Sequence, residues 1–222
     1  MKILALEFSS EQRSVAVLRM EHASGVAPVF VSTDRSGPRA TNAFHLIEAA
    51  LAKAGIEREE IDRLAVGLGP GSYTGIRAAI SIAQAWQLAR NVRLLGISSI
   101  ECLAFQAQNE GIRGRIHFAI DAQRNEFYLA TYQIDPEEHR LIEPLRIVSS
   151  AEVLERIKAG EPLAGPEIAR SFPQARLLFP DAGALARLAM ARSDFVRGEE
   201  LAPIYLRETN FVKAPPPRIL PT

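Results

Sequence analysis

Cysteine is nearly absent from this chain, with Cys102 the only one in 222 residues. A lone thiol closes no internal disulfide, which fits a reducing compartment, and within an apolar helical stretch it reads as a small hydrophobe; a nucleophilic role would require a base beside it. Net charge is absent too, with 26 basic against 26 acidic residues. Dedicated nucleic-acid binders carry a basic excess because phosphate contacts supply most of their affinity, so a dominant nucleic-acid surface is not expected. Arg113, Arg115 and Arg124 could form at most a local patch, and solvated loops are the commoner setting for such residues. No apolar run approaches the roughly 20 residues that span a bilayer. Met1 leads directly into a strand pattern and not into a basic, then apolar, leader, so export is not expected.

Metal-ligand spacing is also missing. The four histidines at 22, 45, 117 and 139 form no His-x-x-x-His or His-Glu-x-x-His pair, and no metal site is expected. His45, on the first predicted helix, reads as a capping or interface residue and not as a metal ligand. Glu7 and Asp121 sit at the ends of two predicted strands and could face one cleft, although Asp121 reads equally well as a turn-capping carboxylate.

What the chain does have is an apolar content of 47%, enough for one large core or two smaller ones, and a glycine-rich loop. In Val66-Gly-Leu-Gly-Pro-Gly-Ser-Tyr-Thr-Gly-Ile-Arg77 an apolar strand runs through a short loop into a long helix. Glycines at 67, 69, 71 and 75 allow backbone or a ligand to approach closely, Pro70 stiffens the turn, and Ser72 or Thr74 can cap the helix. The free N–H groups and dipole of such a helix start attract anions, so Gly69, Gly71, Ser72, Thr74, Gly75 and Arg77 are candidate phosphate-binding residues; a plain strand-to-helix turn fits the loop equally well. Known motifs fail at named positions. Ile76 stands where a Walker A loop needs lysine, Ser72 and Thr74 stand where a dinucleotide fingerprint needs its third glycine, and Pro70 stands where a hydrolase elbow around Ser72 needs glycine.

Periodicity predicts strands at 3–8, 14–20 and 29–33, a helix at 42–54, a strand at 63–68, a helix at 75–90, a short strand at 94–97, a helix at 99–109 and strands near 116–121 and 126–133. The expected division is residues 1–98 as an N-terminal lobe, 99–213 as a smaller C-terminal α/β lobe and 214–222 as a Pro-rich tail. The helix after the glycine loop is apolar on most sides, with Arg77, Ser81, Gln84, Gln87 and Asn91 on one narrow stripe. Either neighbours in the same chain hide it or it docks another subunit; the small size of the lobe favours docking.

The loop Gly-Pro-Gly-Ser-Tyr-Thr-Gly-Ile-Arg77 resembles the signature of the TsaB (YeaZ) family, formerly described as glycoprotease-like. Met1 to Ser10 is similar to that family's opening strand, Asp121-Ala-Gln-Arg-Asn-Glu-Phe-Tyr128 to its Asp-Ala block, and Pro203-Ile-Tyr-Leu-Arg207 to its closing Pro-x-Tyr-x-Arg. Two positions depart from the family pattern. Glu7-Phe8 replaces the usual Asp-Thr, which counts against a metal–phosphate contact there, and Asn125 replaces a glycine, which a turn tolerates.

The resemblance implies two ribonuclease-H-like lobes of the actin-like, sugar-kinase and Hsp70 ATPase superfamily. It implies a cytoplasmic, non-catalytic subunit of the complex that installs threonylcarbamoyl on adenosine beside the anticodon of ANN-decoding tRNAs. The partners it implies are the metal-bearing TsaD subunit and the ATPase TsaE, with a homodimer when the chain is alone and contact with tRNA only indirect. Leu46 and Ala50 on one helix and Ile76, Ala79, Ile80, Ala83 and Trp86 on the next are the expected interface residues. No resident cofactor is expected, and any ATP or ADP binding should be weak or at a subunit interface. A kinase-like enzyme acting on a small molecule or an acyl phosphate, with the glycine loop as its cradle, is the alternative.

Overall fold

The computed structural model describes residues 1–20, 29–34 and 43–207; the Pro-rich 214–222 and His22 lie outside the described residues. Two five-stranded sheets are built on the same plan. In the first, β1 (Lys2–Glu7), β2 (Arg13–Arg19) and β3 (Val29–Asp34) form an antiparallel meander, and β4 (Arg63–Gly67) and β5 (Arg93–Ile97) add in parallel on the other side of β1, giving the order 3-2-1-4-5. In the second, β6 (Gly114–Asp121), β7 (Glu126–Ile134) and β8 (His139–Ser149) form the meander, and β9 (Leu163–Gly165) and β10 (Arg176–Leu177) add in parallel beside β6. Both lobes therefore have the ribonuclease-H-like strand order expected from the sequence.

Strands β1 and β2 are buried on both faces, which is why they read as nearly unbroken apolar runs. On one face lie α1 (Ala43–Ala54) and α2 (Tyr73–Arg90), closing a core around Leu4, Phe8, Leu64, Ile76 and Ala79. On the other, α5 (Ala182–Met190) covers Ile3, Ala16 and Leu95. This late helix thus returns from the 99–213 segment to pack on the first sheet. Between the two sheets runs α3 (Ser99–Asn109), which gives Cys102 to the α5 side and Ile100, Leu103 and Ala107 to the second sheet. The outer face of the second sheet is covered by α4 (Ser150–Lys158).

Every strand and helix anticipated up to residue 133 is present with small end shifts; the glycine-loop helix begins at Tyr73, two residues before the expected start. Among the described residues no helix is long and apolar enough to cross a membrane.

The fate of α2 differs from expectation. Leu46, Ala50, Ile76, Ala79, Ile80 and Ala83, expected at a subunit interface, are buried in the chain's own core against the first sheet. The physical reason is that the sheet face is broad enough to take α1 and α2 side by side, so small residues on α2 allow close helix–sheet approach. Two of the polar residues on α2 are also used internally. Gln84 Nε2 donates to the Gly198 carbonyl (2.9 Å), and Gln87 Oε1 accepts from the Gly198 N–H (2.7 Å).

A buried histidine tests the second lobe. His117 on β6 is fully enclosed; its Nδ1 lies 2.8 Å from Thr131 Oγ1 and 3.3 Å from Arg156 Nη1, and its Nε2 lies 2.7 Å from Glu161 Oε2. These partners assign the neutral tautomer with the proton on Nε2. Burial lowers its pKa; the Glu161 hydrogen bond opposes that shift and the Arg156 charge adds to it. A group that is harder to protonate folded than unfolded contributes stability above its unfolded pKa, near 6.5, and loses it as pH falls. Urea unfolding from pH 8 to 5 should show wild type losing stability below that value by up to about 1.4 kcal/mol per pH unit more than His117→Gln. Parallel curves would contradict this.

Candidate functional site: the glycine loop and the interlobe cleft

The glycine loop docks on the β1–β2 hairpin. A Cβ on Gly71 would overlap the Ser9 carbonyl, one on Gly75 the Phe8 carbonyl, and one on Gly67 the Glu7 carboxylate. These glycines therefore admit the chain's own backbone and side chains. Gly71 also has a φ of 144°, outside the range of ordinary side-chain-bearing residues. Several of the loop's donors are spent internally. The Ser72 N–H donates to the Ser9 carbonyl (2.6 Å), Gly69 N–H to Ser99 Oγ (3.1 Å) and Ile76 N–H to the Ser72 carbonyl (2.9 Å), while Ser72 Oγ caps Gly75 N–H (3.4 Å). Arg77, the expected anion ligand, donates to Tyr73 Oη (3.0 Å) and stacks on that ring at the surface. Thr74 is exposed on the first turn of α2.

Beneath the loop, Glu7 is completely buried. Its Oε1 accepts from the Ser9 N–H (2.8 Å) and its Oε2 from the Ser99 hydroxyl (2.9 Å), and Ser99 in turn holds Gly69 through both its N–H (2.9 Å to the Gly69 carbonyl) and its Oγ. One carboxylate thus ties the end of β1, the start of α3 and the glycine loop together. Burial pushes its pKa up, with the serine hydrogen bonds opposing. Phe8 is equally buried and packs in the core of the first lobe. The Glu7-Phe8 pair therefore serves packing and bracing.

On the solvent side of the loop opens a cleft of about 640 Å³ between the lobes. It is lined by Gly71 to Thr74 of the loop, Asp121 to Arg124 and Tyr128 of the second lobe, and Tyr205 and Arg207. Three segments far apart in the sequence, each quoted above for its resemblance, converge here. The Asp121 carboxylate faces the cleft but accepts from the Gln123 N–H (2.7 Å), the turn-capping role. Gln123, Arg124 and Asn125 are all left-handed, with φ of 64°, 57° and 60°; the turn tolerates Asn125 as expected. Arg207 pins this turn by donating to the carbonyls of Ala122 (2.8 Å) and Gln123 (3.4 Å) and to Glu126 Oε2 (2.7 Å). Ile204 N–H reaches the Leu68 carbonyl (2.8 Å) and Tyr205 packs on Tyr73, so the closing segment straps one lobe to the other. A second tie joins Glu11, through its N–H and carboxylate, to Glu167 and Arg170.

Tyr73, Tyr128 and Tyr205 were not singled out from the sequence. Their signal was membership in the three convergent segments. Among the described residues no group of three His, Cys, Asp or Glu side chains is placed to hold a metal ion. Cys102 is buried and its thiol pKa is pushed well up, by burial first. His45 is exposed on α1.

The architecture and cleft define a two-lobed protein built from a repeated ribonuclease-H-like unit. The family model described as "TsaD: tRNA N6-adenosine threonylcarbamoyltransferase" matches residues 17–194. The tRNA threonylcarbamoyladenosine biosynthesis protein TsaB of Escherichia coli K12 is 30% identical over 147 residues, 61% of this chain and 56% of that protein. TsaB of Bacillus subtilis 168 is 28% identical over 158 residues, 71% of this chain and 66% of that protein. The matches thus span less than two thirds of these relatives' length. A solved Pseudomonas aeruginosa protein described as similar to the peptidase YEAZ superposes with a TM-score of 0.72 at 30% identity, covering 93% of this chain and 99% of that one. The chain belongs to the threonylcarbamoyltransferase family, in its TsaB (YeaZ) branch.

The Glu7 brace predicts a graded response. Glu7→Ala leaves the Ser9 N–H and the Ser99 hydroxyl without their acceptor and should cost about 2–4 kcal/mol in urea unfolding. Glu7→Gln keeps one acceptor oxygen for the Ser9 N–H, turns an amide NH2 toward Ser99 Oγ and removes the buried charge. Because the folded pKa is raised, the wild-type carboxyl's contribution is present below the unfolded value of 4.5 and is lost as pH rises. The stability difference between Glu7→Gln and wild type should therefore move in the variant's favour from pH 5 to 8, and a difference that does not change with pH would contradict the assignment.

Proposed function

We propose that the chain is the non-catalytic partner subunit in threonylcarbamoyladenosine synthesis on tRNA, stabilising a metal-bearing TsaD subunit. The family supports the reaction, since its relatives are tRNA threonylcarbamoyladenosine biosynthesis proteins by name. The observation that carries the partner role is a largely apolar groove of about 250 Å³ between α1 and α2, lined by Phe44, Ile47, Leu51, Trp86 and Ala89 together with the charged Glu48, Arg58, Glu59 and Arg90. Phe44, in this groove, is 65% exposed. Apolar side chains so exposed and clustered favour burial against another chain. The docking face is thus the outer side of the two helices, with Trp86 at its rim; the inner side is core. Recruitment of TsaE, self-association through this face when TsaD is absent and a cytoplasmic setting belong to the same reading, with tRNA contacted through the complex.

The kinase-like alternative finds less support, because much of the glycine loop's hydrogen-bonding capacity is spent on the hairpin and Ser99. Calorimetry with ATP and magnesium should show no saturation below about 1 mM, an affinity of only about 4 kcal/mol. Micromolar binding with turnover that Arg77→Ala abolishes would promote the enzyme.

Phe44→Glu tests the docking face. Placing an unpaired charge in a packed interface should weaken association with cognate TsaD by about a hundredfold or more, some 3 kcal/mol. Because the side chain is exposed in the monomer, folding stability should stay within about 0.5 kcal/mol of wild type. Sedimentation of wild type and variant, each alone and mixed with TsaD, reads both quantities. Unchanged association with Phe44→Glu would put the interface elsewhere.

A further inference from the structure

At the opposite end of the first sheet from the cleft, two arginines stand side by side with no acid between them. Arg63 and Arg93 are directly paired on the parallel neighbours β4 and β5. Their side chains leave the same face of the sheet from strands about 5 Å apart. Both guanidinium groups lie against Phe195, with their carbons 4.9 Å and 5.2 Å from the ring centre. Arg63 spends one N–H on the Arg192 carbonyl (3.2 Å). The Arg93 guanidinium is exposed and has the ring as its one partner among the described residues.

Together with Met1, Asp62 and Asn91 these arginines line a pocket of about 310 Å³. Asp62 contributes the one carboxylate of the lining, and its Oδ2 accepts from the Lys2 N–H (2.8 Å). Asn91, left-handed at the end of α2 with φ 53°, adds a neutral amide.

Like charges paired across neighbouring strands repel, and the sheet elsewhere does not require the arrangement. Contact with one ring restricts both side chains, which lowers the rotamer entropy lost when they grip a ligand. A pair of oriented guanidinium forks matches the oxygens of a phosphate, each fork able to donate two parallel N–H bonds. We propose that this pocket binds a phosphate oxyanion between Arg63 and Arg93. It lies about 13 Å along β1 from Glu7, the four residues from the Ile3 level to the glycine-loop end, and is separate from the cleft. The phosphate could arrive free in solution or as a phosphodiester of an RNA strand.

The full chain is titrated at constant ionic strength with inorganic phosphate, with chloride as the control, and separately with a short single-stranded oligoribonucleotide. Each titration is repeated on Arg63→Gln/Arg93→Gln. The proposal predicts saturable binding of at least one probe to wild type, weakened tenfold or more in the double variant. Phosphate that binds and competes with the oligonucleotide marks a free-anion site; oligonucleotide binding that phosphate does not displace marks a phosphodiester site. Affinities within twofold of each other for wild type and variant, for both probes, overturn the proposal, as does an absence of saturable binding. Should the double variant fail to fold, Arg93→Gln alone carries the same comparison, because its side chain is exposed and bonds only to the ring.

Discussion

The seating of the glycine loop on the β1–β2 hairpin is the contact on which the rest of the molecule depends. Backbone touches backbone at Gly71 and Gly75, and beneath them the buried Glu7 carboxylate joins the hairpin to Ser99 and so to the loop. Taking a carboxylate out of water is costly, and it is tolerated here because fixed donors replace its hydration shell. The consequence is a rigid floor. Loop, hairpin and α3 are tied to one another by hydrogen bonds, and the second lobe is held against them by the Arg207 clamp and the Glu11 ties.

A phosphate cradle and a backbone seat make opposite demands on the same glycines. A cradle leaves N–H groups pointing into empty space, whereas a seat spends them on carbonyls and hydroxyls. Here Ser72 and Gly69 spend theirs within the chain, and Phe8 fills with an aromatic ring the place next to the buried carboxylate. What remains open is the shallower cleft with its three tyrosines. In this chain the loop serves as a structural joint.

The strands and helices of the first lobe were legible because β1, β4, α1 and α2 have clean apolar periods bounded by Gly, Asn or Ser. Beyond residue 134 the signal fades for physical reasons. β8 is an edge strand that alternates poorly and carries Pro144, and β9 and β10 are only three and two residues long. The cleft was half legible: its segments could be quoted as resemblances, but their convergence is a property of the tertiary structure. The faces of α2 were misassigned because small apolar residues suit a helix pressed onto a sheet as well as one pressed onto another helix. Periodicity ranked Ala79 and Ala83 correctly as buried and could not say by what.

On the proposed partner role, a chain whose glycine loop is a joint should act only through the protein it docks on. The most direct test is to measure threonylcarbamoyl transfer to tRNA with the chain alone, with cognate TsaD alone, and with the two mixed in increasing ratio. The account predicts no product from the chain alone and an activity of TsaD that rises with added chain and levels off at a fixed stoichiometry. Product formed by the chain alone, or TsaD activity indifferent to its presence, would contradict it.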